Sequence, residues 1–189
     1  MLEKMIQNRS ILYEFLRLQK KSHNPSIYTT KLLILHGADV NITDSSACTP
    51  LHLAAQNNYK EMASFLIKSG ADINAKDKNG QSPLHYGVPN KYRVLTKFLI
   101  SNGADVNSRD NLGRSVFHIA AENKSVAMIK HFKSLGGDIN SQDNQGQTPL
   151  HYAIKKYAYD VAECLISQGA DVNIKDNDGH YTLLQKITI

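Results

Sequence analysis

The feature that most constrains this chain is a short phrase, Gly-Ala-Asp-Val-Asn or a near copy, beginning at Gly37, Gly70, Gly103, Gly136 and Gly169. The interval from Gly37 to Gly70, 33 residues, recurs each time. A second series keeps the register: Thr49-Pro50-Leu51-His52, Ser82-Pro83-Leu84-His85, Ser115-Val116-Phe117-His118 and Thr148-Pro149-Leu150-His151. A third, Asp44, Asp77, Asp110, Asp143 and Asp176, runs five positions ahead of it. Three series in one register mark a repeat array, in which no single unit buries its apolar face and neighbours must stack.

Each phrase has a local physical meaning. Thr or Ser at 49, 82, 115 and 148 is an N-cap whose hydroxyl accepts from first-turn amides, and Pro suits the next position. Small residues such as Ala54-Ala55 and Ala120-Ala121 let a second helix approach closely. That second helix carries apolar residues at helical spacing: Met62, Phe65 and Leu66; Val94, Leu95, Phe98 and Leu99; Met128, Ile129 and Phe132; Val161, Ala162, Leu165 and Ile166. The glycine of each phrase falls where a helix ends in the left-handed conformation that glycine adopts without steric cost. Asp77 to Gly80, Asp110 to Gly113, Asp143 to Gly146 and Asp176 to Gly179 read as turns that Asp opens and Gly closes.

These residues resemble the ankyrin repeat, whose period is 33 and whose signature is Thr-Pro-Leu-His-x-Ala. The resemblance covers about residues 25 to 189 and implies an all-α ankyrin-repeat solenoid of stacked helix-turn-helix units with β-turn or hairpin fingers. The expected organisation is an N-terminal capping helix at 1–24 and a degenerate first repeat at 25–43. Repeats follow at 44–76, 77–109, 110–142 and 143–175, then a partial C-terminal repeat at 176–189.

Some residues depart from the family pattern. Asn58, Lys91, Lys124 and Tyr157 occupy the tight inter-helix turn where the family has Gly, so a left-handed conformation there costs roughly 1 kcal/mol or more, least for Asn. Gly87-Val88-Pro89 replaces an Ala-Ala pair, Val116 replaces Pro, and Gly136-Gly137 loses the Ala. These departures bear on local helix lengths and leave the fold intact.

Upstream, Leu2, Met5, Ile6, Leu12, Phe15 and Leu16 share one broad helical face, with Arg9, Arg17, Lys20 and Lys21 turned to water. That pattern reads as a cap; Glu3 and Glu14 argue against a mitochondrial targeting helix. At the other end Tyr181-Thr182-Leu183-Leu184 begins a first helix, and the chain stops at Ile189. Such an end is expected to leave apolar surface for a partner, a second copy or a longer array.

With 41% hydrophobic and 21% charged residues the composition is that of a folded chain, and no apolar run approaches the roughly 20 residues of a membrane span. A cytoplasmic or nuclear location is expected, with Cys48 and Cys164 as reduced thiols outside any disulfide or zinc framework.

His52, His85, His118 and His151 invite a metal reading, but helices pack about 8 to 10 Å apart and zinc ligands lie about 2 Å from one ion. Hydrogen bonding near the helix start is the role expected of them, and His36, His131 and His180 are expected at the surface. The aspartates are spread by the same stacking distance and each has a turn role, against calcium binding or acid–base catalysis. No phosphate loop, nucleophile elbow or metal-binding His-Glu pair is present. The expectation is therefore no enzyme, no cofactor, no metal and no small-molecule substrate. Asn41, Asn74, Asn107, Asn140 and Asn173 are expected to hydrogen-bond backbone within their own hairpins, and the resemblance makes them candidates for hydroxylation.

The resemblance further implies a protein-binding surface at the hairpin tips and the exposed side of the first helix. Carried over by phase, it comprises Lys76, Lys78, Asn79, Gln81, Arg109, Asn111, Leu112, Arg114, Glu122, Asn144, Gln145, Gln147, Lys155, Lys156 and Lys175. Among tip and first-helix positions the seven basic residues, Lys76, Lys78, Arg109, Arg114, Lys155, Lys156 and Lys175, outnumber Glu122 and Asp178. With a net charge of +5 on the whole chain, two readings of the charge stand: the surface prefers an acidic protein partner, with Leu112 as its apolar contact, or the lysines keep a solvent-exposed groove soluble. Nucleic-acid binding through the same basic stripe is the weaker alternative, because no base-stacking aromatics interleave with it. An interaction module of a larger enzyme, channel or effector is a third reading.

Overall fold

In a computed structural model the described residues are 11–18, 26–89 and 92–181, with the side chains of 11, 15, 16 and 18 excepted. They form the helices α1 (Ile11–Leu18), α2 (Ile27–Leu35), α3 (Pro50–Gln56), α4 (Lys60–Lys68), α5 (Pro83–Gly87), α6 (Arg93–Ser101), α7 (Val116–Glu122), α8 (Val126–Ser134), α9 (Pro149–Lys155) and α10 (Tyr159–Ser167). The chain divides into two compact units, Met1–Gly87 with Val94–Ala104, and Val88–Arg93 with Asp105–Ile189.

In the first unit α1 packs on α3 and α3 on α5, while α2 packs on α4. In the second, α7 packs on α9 and α8 on α10. First helices stack on first helices and second on second, the arrangement of a helical solenoid. Among the described residues no strand forms; the extended element is one antiparallel bridge, Lys175 to Tyr181.

The caps explain where the first helices begin. Thr49 is extended, at φ −89° and ψ 167°, and its hydroxyl accepts from the His52 amide while its own N–H donates to His52 Nδ1. Thr148 and His151 repeat this in α9. Because Nδ1 accepts, the imidazole proton sits on Nε2, which donates to a carbonyl one repeat on: His52 to Gln81 at 3.0 Å, His118 to Gln147 at 2.9 Å and His151 to His180 at 3.3 Å. His52, His118 and His151 are thus buried rivets between consecutive repeats.

Each second helix ends on the expected glycine, with φ between 83° at Gly136 and 102° at Gly103. The tight turns are also as expected: Asn58, Lys124 and Tyr157 lie at φ 59°, 50° and 53° without being glycine. Ala47, at φ 60°, is a further case. It holds the place that Gly80, Gly113, Gly146 and Gly179 take in the later turns. Lys91 lies outside the described residues.

Gly87 closes a helix of five residues where α3, α7 and α9 have seven. A Cβ there meets Thr96 Cγ2 at 2.8 Å, so the missing Ala makes room for a fully buried threonine on α6. The core is built from Leu51, Met62, Leu66, Leu84, Leu95 and Leu99 in the first unit, and from Phe117, Met128, Ile129, Phe132, Leu150 and Leu165 in the second, all at most 1% exposed. His131 corrects the expectation of a surface residue. It is 6% exposed and its ring leans on Phe132, because it occupies the phase of Phe65, Phe98 and Cys164, an inward position of the second helix.

Of the N-terminal face, Leu12 and Tyr13 are buried in α1. Leu2, Met5, Ile6, Arg9, Lys20 and Lys21 lie outside the described residues, as do 182–189.

Candidate partner-binding surface

The fingers between helix pairs are held by their aspartates. Oδ1 of Asp77 accepts from the amides of Asn79 and Gln81, both at 2.8 Å. Asp44, Asp110, Asp143 and Asp176 accept from the same two positions of their own turns. Closure comes from the Asp N–H, which donates to the carbonyl four residues on, as in Asp143 to Gln147 at 2.9 Å.

The other carboxylate oxygen differs from unit to unit. Tyr86 donates its hydroxyl to Asp77 Oδ2 and Tyr152 to Asp143 Oδ2, each from nine residues further on. Where that position is Leu53, Tyr13 of α1 supplies the hydroxyl instead, at 2.7 Å from Asp44 Oδ2. Burial pushes the Asp44 carboxyl up, but Tyr13 and the amides of Cys48 and Ser46 outweigh it and hold the group below its ordinary value. Where the position is Ile119, Arg114 takes the role, its Nη2 2.8 Å from Asp110 Oδ2.

Neighbouring tips are joined as well. The Lys78 amide donates to the Ser46 carbonyl, Asn144 to Leu112 and Asn177 to Gln145. In the second unit the side-chain amides of Asn144 and Asn177 add bonds to the carbonyls of Asn111 and Asn144. This close approach is why Gly113 lacks a side chain: a Cβ there meets Asn144 Oδ1 at 2.5 Å.

The sequence-derived surface residues then sort as follows. In the first unit Lys76, Lys78 and Asn79 are exposed, and Gln81 is half-buried with its carbonyl taken by His52. In the second, Asn111, Asn144, Gln145, Lys155, Lys156 and Lys175 are exposed, as is Arg109, whose Nη1 donates to the Gln142 carbonyl. Lys175 Nζ lies 4.6 Å from the centre of the Tyr181 ring. Gln147 is half-buried beneath its bond from His118. Leu112 presents an apolar side chain that is 59% exposed, between an amide fixed by Asp110 and a carbonyl fixed by Asn144.

Arg114 and Glu122 are half-buried and belong together. Glu122 Oε2 is 3.3 Å from Arg114 Nη1 and its Oε1 is 3.8 Å from Lys156 Nζ. Part of the basic excess read from the sequence is therefore compensated inside the unit, since Asp110 and Glu122 face Arg114 and Lys156. Residue spacing alone did not show this pairing, because Arg114 and Lys156 belong to different repeats.

The recurring asparagines also act across repeats, which corrects the expectation of bonds within one hairpin. Asn41 donates to the Gly70 carbonyl and accepts from the Asp72 amide. Asn107 and Asn140 accept from Asp138 and Asp171.

Asp176, Asp178 and His180 each bring one oxygen or nitrogen to within 4.8 Å of the others. The Asp176 contacts repeat the turn pattern of the other fingers, with His180 Nδ1 3.5 Å from its Oδ2, so the cluster reads as a finger.

A family model described as "Ankyrin repeats (3 copies)" matches residues 20–110 and 90–176, most of the chain. This chain belongs to the ankyrin-repeat family. Curated proteins named "Protein fem-1 homolog C", from Bos taurus, Mus musculus and Homo sapiens, are each 48% identical to it over 42 residues. The match covers 22% of this chain and 7% of each relative, so only a short stretch of those proteins is shared. Ankyrin repeats generally mediate protein–protein interaction and are typically non-catalytic. Among the described residues no helix of this ankyrin chain is long and apolar enough to cross a membrane.

Proposed function

We propose that this chain is a non-catalytic scaffold that binds an acidic protein partner through its hairpin tips and the ends of its first helices. The observation that carries this reading is Leu112, an exposed leucine on a main chain bonded on both sides. A rigidly presented apolar side chain costs little ordering entropy on binding. Lys155 and Lys156 in the same unit, and Lys76 and Lys78 on the first, supply complementary charge. The residues that invite a catalytic reading are occupied by the fold: the aspartates hold turns, and His52, His118 and His151 bond through both ring nitrogens. Burial pushes the thiols of Cys48 and Cys164 up, which suits inert reduced cysteines in a cytosolic or nuclear setting.

The test compares wild type with a Lys76→Glu, Lys78→Glu, Lys155→Glu, Lys156→Glu variant as baits, with nuclease treatment in parallel. Arg114 is left intact because its reversal sets a carboxylate against Asp110. A nuclease-resistant partner released by the reversal and by salt supports the reading. Identical capture by both baits overturns it, and nuclease-sensitive capture moves the function to nucleic acid.

A further inference from the structure

Glu122 is the acidic residue among the first-helix-end positions that Gln56, Pro89 and Lys155 share with it by phase. Its surroundings are lopsided. Arg114 is held firmly from the other side, with Nε 2.9 Å and Nη2 2.8 Å from Asp110 Oδ2, which leaves Nη1 turned toward Glu122 at 3.3 Å. Lys156 stands 3.8 Å from the second Glu122 oxygen. Close charge-assisted contacts run at about 2.7 to 2.9 Å, so Glu122 spans two cations and satisfies neither closely. Its side chain is 37% exposed and that of Lys156 is 49%, so the pair opens to solvent and is weakly held.

We propose that Glu122 is the specificity-determining residue of the second unit: it stands where the carboxylate of an acidic partner segment docks between Arg114 and Lys156, and binding displaces it. This deepens, and rests on, the acidic-partner reading. The segment it fits carries a Glu or Asp for the Arg114 and Lys156 pair and an apolar residue for Leu112. A partner with one isolated carboxylate gains little over Glu122 itself, whereas an acidic run competes effectively. The residue thus screens weakly charged sequences out.

The experiment measures binding of a labelled oligoglutamate peptide by fluorescence anisotropy to wild type, Glu122→Gln, Lys156→Gln and the double variant. Glu122→Gln is expected to tighten binding by about three- to tenfold at low salt, with the gain fading as salt screens the exposed charges. Lys156→Gln is expected to weaken binding, and in the double variant to reduce the gain. Wild-type binding that is unchanged or weakened in Glu122→Gln overturns the role of Glu122 while leaving the acidic-partner reading standing. Binding of the peptide by none of the four proteins overturns the acidic-partner reading and this inference with it. A urea midpoint for each variant guards against loss of fold, and Lys156→Gln, which leaves the Arg114 to Glu122 contact in place, tests the same cleft independently.

Discussion

Gly137 makes way for the ring of Phe117: a Cβ on Gly137 meets Phe117 Cε2 at 2.6 Å and Cζ at 3.2 Å. Elsewhere the same two phases hold Leu (Leu51, Leu84, Leu150) and Ala (Ala71, Ala104, Ala170). A larger core residue has been accepted by shrinking its neighbour, and the ring meets Phe132 edge-on at 6.1 Å. Gly137→Ala should therefore destabilise by about 1–3 kcal/mol through overpacking. Phe117→Leu with Gly137→Ala should cost less than the two single changes added together, and a urea double-mutant cycle measures that coupling. Additive effects mean that the contact relaxes freely.

The left-handed turn residues are stabilisable. Lys124→Gly and Ala47→Gly should each raise stability by about 0.5–1 kcal/mol, because glycine removes the Cβ strain at φ 50° and 60°. Asn58→Gly should change it least, since Asn tolerates this region better. Thermal melts of the three variants rank them, and equal shifts would remove backbone strain as the cause.

Acid should loosen the stack through the histidine rivets. Burial lowers His52, His118 and His151 below their ordinary 6.5, with the bonded carbonyls of Gln81, Gln147 and His180 and the nearby aspartates pulling partly back. Between the folded and unfolded values the unfolded chain binds more protons. The contribution is therefore complete above about pH 6.5 and declines as pH falls below it, by at most about 1.4 kcal/mol per pH unit for each histidine. Denaturation midpoints at stepped pH from 7.5 to 5.5 check this; a flat profile contradicts the lowering of the histidines by burial.

Tyr13→Phe removes the hydroxyl that α1 gives to Asp44. The cost should be about 1–3 kcal/mol, as for a hydrogen bond to a charged acceptor. The Asp44 carboxyl should also titrate at higher pH once that donor is gone, which carbonyl-labelled NMR can follow. An unmoved Asp44 titration would separate α1 docking from the turn.

The periodic part of this molecule was legible in the sequence because it is local. Caps, helix-ending glycines and Asp turns each act within a few residues, so spacing reveals them, and the non-glycine turns at Asn58, Lys124 and Tyr157 were foreseen on the same ground. What spacing hid were partners one repeat away. Tyr13 filling in for a hydroxyl that Leu53 lacks, Glu122 reaching Lys156, and Asn41 bonding Asp72 depend on which side chains the stack brings face to face. His131 is different: its helical phase points to the core, while its polar side chain alone suggests the surface. For the proposed binding surface, phase locates exposed lysines and Leu112 but leaves Arg114 and Lys156 as open charge, because their neutralising partners are visible only in three dimensions.

The inter-repeat bonds of the histidines, asparagines and fingertips run 29 to 33 residues along the chain. Every one addresses the next copy and none counts from an absolute origin. A gain or loss of one whole period inside the array therefore leaves each donor facing an acceptor of the same kind, whereas a change of any other length strands a row of donors and acceptors. The architecture is tolerant of duplication and intolerant of slippage, so its length can drift by whole units while its register cannot.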